Sequence, residues 1–599
     1  MNKIYVLGIS AFYHNSAAAL ICDGEIITAA EEERFTRIKA DSSFPINAVK
    51  FCLDKAGILP DELLCVAYYE DPVLKFGRIM TSASVYVPKS IEQFVFAVPE
   101  WISRKLWTEK TVKKEIGSKK VRTEILPHHL SHAAAAFYPS PFEDAAVITV
   151  DGVGEWSTMT YGTGQGNEIK LLKTLNFPNS LGLLYSAFTL YTGFKINNGE
   201  YKMMGLAPYG KPVYSDIIRK KLIKISDDGS FAVNQEYFSY SYGIRTINRK
   251  FTELFGKPAR KPDEEITEFY ADIAASIQNV TDEIIIKIAR HVKEETGKDK
   301  LCMSGGVALN VTSTGLLRRS GIFDEIWIQP AAGDAGCAIG AAYEAYYRKG
   351  YQRAVTEDDK MHACCLGTEI SDRSDEDDRL LKSLGGVWKN YDDSHLSRTA
   401  ARLIADGFSV GVAKGRAEFG PRALGNRSIL ADARREDMLQ KLNMKIKFRE
   451  GFRPFAPAVC EEDADKYFDI KGKSPYMSFT FPVKEERRIP AEKSENIFVT
   501  ASLKRSDIPA VTHVDHSARI QTVSKESNPF FYSILSEFKK LTGCSVIINT
   551  SFNTSKEPIV NTAEDAYRCF MRSGMDYAII GSRLFDKKEQ TGTEPKGGW

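Results

Sequence analysis

Residues 4–30 read IYVLGISAFYHNSAAALICDGEIITAA: an apolar run Ile4–Ile9, a polar loop Ser10–Ser16, a second apolar run Ala17–Cys22, the dipeptide Asp23-Gly24, and a third run Glu25–Ala30. Asp-Gly between two apolar runs is the strongest short-range hairpin signal, because the tight turn needs positive φ at its centre. The stretch therefore predicts strand, loop, strand, turn, strand. The pattern returns downstream as Ala145–Val150, the glycine loop Asp151-Gly152-Val153-Gly154, Ser157–Gly162, the turn Gln165-Gly166-Asn167, and Glu168–Leu175. Two such meanders predict a duplicated α/β unit whose loops face one cleft, with chance similarity as the alternative.

Working outward, Glu265–Glu295 has helical periodicity with Ile, Ala and Val on one stripe. A short strand Leu301–Ser304 then runs into Gly305-Gly306, and a second, Glu325–Gln329, runs into Gly333-Asp334-Ala335-Gly336 and an alanine-rich helix to Tyr347. Such strand–glycine–helix turns aim backbone N–H groups and a helix dipole forward, so the pair suggests a nucleotide or metal pocket, although close helix–strand packing also uses glycine. Acidic residues crowd 369–378 beside Ser371 and Ser374, which reads as a solvated linker. The expected organisation is a first domain at 1–365, an acidic linker at 366–382, a second α/β domain at 383–582, and a polar tail at 583–599.

Composition bounds the function. A chain of 599 residues is too long for one core, and 43% hydrophobic residues supply ample apolar side chains. Eighty Lys+Arg against 78 Asp+Glu leave a net charge of +2, so no whole-chain field exists to hold a polyanion or a membrane surface. No apolar run is long enough to span a bilayer, and the N-terminal apolar run is interrupted too soon for a signal peptide, so a cytoplasmic location is expected. The 10 cysteines show no C-x-x-C pair, which indicates neither a disulfide scaffold nor a zinc finger.

Two constellations carry chemistry. In Pro127-His128-His129-Leu130-Ser131-His132, a spacing of four puts His128 and His132 on one helix face, where both imidazoles can reach a single ion. Two imidazoles with carboxylates from elsewhere suit iron(II), manganese or zinc; two polar residues heading a core helix is the competing reading. The second constellation is positive: 414–453 holds 11 Lys+Arg against five acids. Arg416, Arg422 and Arg427 sit among Gly415, Gly420 and Gly425, a setting for bidentate phosphate contacts, with a solvated surface or RNA binding as alternatives. The strand Ile547-Ile548-Asn549-Thr550-Ser551-Phe552-Asn553 ends in short amides and hydroxyls suited to a small polar ligand.

These residues bring the chain to a known family. Gly8-Ile9-Ser10 through His14, Glu31-Glu32-Glu33-Arg34-Phe35, the histidine motif, Asn198–Gly210, Ser304–Asn310, Gly415–Gly425, Arg449–Pro457 and Asn549–Asn553, in this order, resemble the NodU/CmcH-type O-carbamoyltransferases. The resemblance implies a duplicated actin/sugar-kinase-like (ASKHA) N-terminal domain followed by a mixed α/β YrdC-like domain. It implies that the second domain makes carbamoyl-adenylate from carbamoyl phosphate and ATP with Mg2+, and that the first passes the carbamoyl group to a hydroxyl of a small-molecule acceptor in natural-product biosynthesis. Carried over by position, the metal ligands are His128, His132, Asp151 and Asp334, with iron(II) expected. The adenylate-forming residues fall on Arg422, Lys447, Met477, Arg519, Asn549 and Ser551. Arg416, Lys202, Gly305, Gly306 and Asn310 join the nucleotide and carbamoyl phosphate set, and His14 faces the transfer site.

A reactive adenylate is expected to travel along a protected path, since bulk water would consume it. Rival readings are a tRNA threonylcarbamoyl-type transferase, a hydrogenase-maturation carbamoyl transferase, a sugar kinase, and a non-catalytic ATP-binding scaffold. Nucleic acid and membrane are not expected partners. The aromatic segment Lys75–Glu115 is open to two readings, an acceptor pocket or a homodimer contact.

Overall fold

The computed structural model describes residues 3–491, 494 and 496–590. The chain forms two compact units, one of residues 1–32 and 41–360, the other of residues 33–40 and 361 onward.

In the first unit, strands β1 (Tyr5–Ser10), β2 (Ala17–Cys22), β3 (Glu25–Glu31), β4 (Leu63–Tyr68) and β5 (Thr123–Ile125) form one sheet in the order β3-β2-β1-β4-β5. The first three strands are antiparallel neighbours, and β1-β4 and β4-β5 are parallel. Strands β6 (Asp144–Val150), β7 (Ser157–Gln165), β8 (Glu168–Asn176), β9 (Lys300–Ser304) and β10 (Glu325–Ile328) form a second sheet in the order β10-β9-β6-β7-β8. Its pairings repeat those directions, antiparallel among β6, β7 and β8 and parallel for β6-β9 and β9-β10. Counted from each meander, both sheets have the order 3-2-1-4-5, so the unit is a duplicated actin/sugar-kinase-like fold. The hairpin turn has Asp23 at φ 50° and Gly24 at φ 83°, the doubly positive turn that Asp-Gly predicts.

Small side chains set how closely the layers approach. Helix α1 (His128–Phe137) and helix α2 (Cys337–Tyr347) are buried along nearly their whole length and pack together through alanines. A Cβ on Gly340 would lie 1.9 Å from the Ser131 carbonyl oxygen, and one on Gly8 of β1 would lie 1.8 Å from that of Ala338. Glycine alone permits these approaches. They clamp α2 against α1 on one side and β1 on the other, which brings the N-terminal ends of both helices to the loop after β1.

The second unit is a mixed α/β domain. Among the described residues its main sheet has eight strands: Lys389–Asn390, Arg583–Asp586, Tyr577–Ile580, Val410–Ala413, Arg427–Asp432, Val546–Ser551, Ala456–Cys460 and Gln521–Val523, in that spatial order.

Three boundaries differ from the sequence expectation. Within the expected acidic linker 366–382, Asp375 begins a helix, Asp375–Ser383, that Ser374 caps by accepting the Asp377 N–H. Its acids stand in the first turn, where the helix dipole favours them, so a charge run read as solvated linker is a helix start. The expected tail at 583–599 opens with the strand Arg583–Asp586, and Arg583 is buried against Asp378 at 2.5 Å; residues 591–599 lie outside the described residues. Finally, Glu33–Ala40 belongs to the second unit although its neighbours in sequence belong to the first. Arg37 there donates to the carbonyls of Ile559 and Pro558 at 2.7 and 2.9 Å.

Candidate active site and metal centre

In the first unit, α1 supplies His128 and His132 one turn apart, the loop after β6 supplies Asp151, and the turn ahead of α2 supplies Asp334. One ligand atom from each lies within 4.8 Å of every other. His128 Nε2 stands 3.2 Å from Asp151 Oδ2, and His132 Nε2 stands 3.6 Å from Asp334 Oδ1. The two imidazole rings are 4.7 Å apart and nearly perpendicular. His128, His132 and Asp334 are almost wholly buried.

Surrounding atoms fix which lone pairs face inward. The Ser304 hydroxyl donates to the Ala332 carbonyl at 3.2 Å, so toward His132 Nδ1, also at 3.2 Å, it accepts. His132 therefore carries its proton on Nδ1 and presents a bare Nε2. Asp151 Oδ1 accepts the Gly306 N–H at 2.8 Å, which leaves Oδ2 for the centre. His132 Nε2 and both oxygens of Asp334 are buried without any hydrogen-bond partner. Buried carboxylate oxygens without donors are costly, and a bound cation is what this donor set fits. Two imidazole nitrogens and two carboxylates are borderline-to-hard ligands suited to iron(II), manganese or zinc.

Titration behaviour has the same origin. Burial disfavours charge on His128, but the bond to Asp151 and the nearby carboxylates outweigh it and push its pKa up to about 9. His129 turns away to Thr149 Oγ1 at 2.7 Å; burial, then the neighbouring histidines, push it down to about 3. Burial raises the Asp151 carboxyl, yet its contact with His128 and the charges of the histidines hold it well below the usual range.

His14 is half-buried beside the centre, with Nε2 3.8 Å from Asp334 Oδ2. Its Nδ1 meets Asn15 Oδ1 at 3.1 Å; that oxygen only accepts, so Nε2 is the unprotonated nitrogen. Glu70 and Glu155 escaped sequence reading because they lie in unremarkable stretches. Glu155 Oε1 accepts the backbone N–H of His128 at 2.9 Å and that of Asp71 at 2.7 Å, so one carboxylate holds two helix starts.

Gly305 turns the chain with φ 94° and delivers the Gly306 N–H to Asp151, so this pair orients the Asp151 carboxylate. Asn310 caps helix Val311–Ser320 and exchanges hydrogen bonds with Gln278 at 3.1 and 3.2 Å. Lys202 lies on helix Glu200–Leu206, with its ammonium 5.9 Å from the Phe194 ring centre.

The second unit assembles the other set. Lys447 is buried and donates to the Ser551 carbonyl, to Ser551 Oγ at 3.1 Å, and to Asn553 Oδ1 at 2.9 Å. Burial, then the charges of Arg449, Arg453 and Lys39, hold its ammonium well below the usual range. Arg519 is likewise held down, by burial and then by Arg422 and Arg453, so these three guanidiniums repel one another. Such a group is stabilised by an anion. Asn549 is buried, donates to the Ala423 carbonyl and Gln521 Oε1, and keeps a partnerless Oδ1. Met477, buried with φ 54°, stands in the same unit. Glu418 Oε1 accepts the N–H groups of Leu424 and Asn426 at 2.6 and 2.9 Å and so shapes the loop that carries Arg422.

Much of the basic run is spent structurally. Arg427 is fully buried with its guanidinium on the carbonyls of Lys414, Gly415, Asn426, Thr368 and Asn561, which removes it from the phosphate contacts expected of it. Arg416 donates to the Leu366 and Gly367 carbonyls. Lys414, Arg434, Arg435 and Lys441 pair with Asp393, Asp432, Asp437 and Asp576. Paired charges are a poor surface for RNA.

Family comparison agrees with the two-unit layout. The carbamoyltransferase N-terminus model matches residues 5–343 and the carbamoyltransferase C-terminus model residues 401–587. An uncharacterised protein of Synechocystis is 46% identical over 99% of this chain and 98% of its own length. Nodulation protein NolNO of Sinorhizobium fredii is 36% identical over 97% of this chain and 80% of that one, and Nodulation protein U of Rhizobium tropici is 27% identical over 90% and 89%. Among solved structures, HypF of T. kodakarensis overlaps 58% of this chain and 48% of that one at 14% identity and a TM-score of 0.29; the fold rests on strand order instead. Among the described residues no helix is long and apolar enough to cross a membrane. The chain belongs to the carbamoyltransferase family, which is an enzyme family acting with carbamoyl phosphate and an acceptor.

Proposed function

We propose that this carbamoyltransferase is an ATP-dependent O-carbamoyltransferase with two reaction centres. The second unit forms carbamoyl-adenylate from carbamoyl phosphate, water and ATP with Mg2+, releasing phosphate and pyrophosphate, and the first passes the carbamoyl group to a hydroxyl of a small natural-product acceptor, releasing AMP. The observation that carries this reading is the convergence of His128, His132, Asp151 and Asp334, with His132 Nε2 and both Asp334 oxygens left without partners.

Arg422, Arg453 and Arg519 offset the phosphate charge of the substrates, and Lys447, held by Ser551 and Asn553, adds a point charge beside them. Asn549 Oδ1 is placed to accept a hydrogen bond from an N–H donor of the ligand. In the first unit, His128, His132, Asp151 and Asp334 would hold an ion, iron(II) with manganese or zinc as alternatives, which would supply Lewis acidity toward the carbamoyl oxygen. His14 Nε2 takes the acceptor hydroxyl proton, and the Asp334 carboxylate 3.8 Å away stabilises the imidazolium that results.

The two halves separate by mutation. Arg422→Ala or Lys447→Ala should abolish carbamoyl-dependent exchange of pyrophosphate into ATP, whereas His128→Ala should spare exchange and abolish product. Loss of both activities in folded His128→Ala protein would sink the two-centre reading. Elemental analysis tests the ligand set: less than about 0.1 equivalent of transition metal with chelator-insensitive turnover would refute it.

A further inference from the structure

Helix Pro72–Val85 begins at Asp71, whose carboxylate accepts the N–H groups of Val73 and Leu74. Its start is tied through Glu155 to the start of α1, so its first turns lie beside the four-ligand centre. From it Lys75 and Arg78, three residues apart on one face, both reach into the protein, where they are 4% and 9% exposed.

The two cations differ in their company. Lys75 is paired with Glu70, whose Oε2 lies 3.9 Å from His128 Nδ1, and its ammonium covers the Tyr13 ring at 4.7 Å. Arg78 stacks on the Phe177 ring at 4.8 Å, and among the described residues no hydrogen bond or ion pair reaches its guanidinium; its Nε is buried and partnerless. Glu70 and Glu155 bear on it through space only, and both are already engaged. A guanidinium buried on an aromatic floor with no acceptor is costly unless something arrives to accept its hydrogen bonds.

The same region opens to solvent. Tyr13 is 45% exposed next to His14, and the Arg104 guanidinium lies over the Phe12 ring at 4.7 Å. The loop that carries His14 is thus flanked by cations, only one of which has a partner carboxylate of its own.

We propose that Arg78 recognises the acceptor, holding an anionic group, a carboxylate or a phosphate monoester, on the same molecule whose hydroxyl reaches the four-ligand centre. The assignment rests on the carbamoyl-transfer reading above and adds the acceptor's charge class to it. Burial also holds the guanidinium below its ordinary pKa range, a cost that a bound oxyanion relieves. A neutral or cationic acceptor would leave the buried Nε–H unpaired, so discrimination follows from desolvation as well as from attraction.

Calorimetric titration of inorganic sulfate into the full chain tests the anion site without turnover. The wild type should bind one sulfate per chain more than Arg78→Met, and Arg78→Lys should retain that site with weakened affinity; circular dichroism checks the fold of both variants. Equal stoichiometry in the wild type and folded Arg78→Met, or loss of the site in folded Arg78→Lys, would overturn the proposal. In the transfer assay, matched pairs such as glucose and glucuronate, or glycerol and glycerol phosphate, should favour the acid at least 10-fold in kcat/KM. Equal rates within the accepted pairs would overturn it too. A wild type that binds the extra sulfate yet exchanges no pyrophosphate would instead break the carbamoyl-transfer reading, so the two failures are distinguishable.

Discussion

His132 on α1 and Ser304 at the end of β9 are far apart in sequence, yet Nδ1–H of one donates to Oγ of the other at 3.2 Å, whose own hydroxyl donates to the Ala332 carbonyl. That relay decides which imidazole nitrogen faces the centre. In Ser304→Ala the orienting acceptor is lost, and metal affinity should fall by about 10- to 100-fold, as for other outer partners of ligating histidines. Chelator competition followed by metal analysis checks this, with pyrophosphate exchange unchanged.

The close approaches at Gly8 and Gly340 should be intolerant. A methyl at either position meets a backbone oxygen that no rotamer change can move. Gly8→Ala and Gly340→Ala should each cost at least about 3 kcal/mol. Thermal melts should show it, and in any folded fraction metal binding should weaken, because the two clamped helices position three of the four ligands.

Asp282 is half-buried, with Ser313 Oγ donating at 2.6 Å and Gln278 Nε2 at 2.8 Å. Burial raises its pKa to about 6 in the folded chain, despite these bonds. The folded state then binds more protons than the unfolded state between about pH 4 and 6, so stability falls as pH rises through that window. Asp282→Asn keeps the accepting oxygen and removes the charge. It should abolish this pH dependence and raise stability at pH 7 by on the order of 2 kcal/mol, measured by denaturant unfolding across pH.

Glu418 shapes the Arg422 loop by accepting two of its N–H groups, one at 2.6 Å. Glu418→Gln substitutes an amide for a charge-assisted acceptor and should raise KM for carbamoyl phosphate or ATP about 10-fold. Steady-state exchange kinetics checks it, with metal content unaltered.

The sequence alone sufficed for the duplicated meander, since continuous apolar runs and Asp23-Gly24 are local signals, and the order 3-2-1 within each sheet follows them. It also sufficed for the His128/His132 face, because spacing on a helix needs no tertiary information. It misread 369–378 as linker, since an acidic run and a capped helix start share composition and differ only in what the helix packs on. Arg427 looked like a phosphate ligand for a similar reason: a guanidinium's partners are chosen by which carbonyls surround it.

What only the folded chain decides is convergence. Asp151 and Asp334 reach one point because Gly8 and Gly340 let helices close to backbone contact. The inward lone pair of His132 depends on Ser304, and the solitary state of Arg78 on the carboxylates near it being already taken. Local periodicity is written in nearest neighbours along the chain, whereas the charge, tautomer and partner of a buried group are set by atoms far away in sequence, brought there by packing.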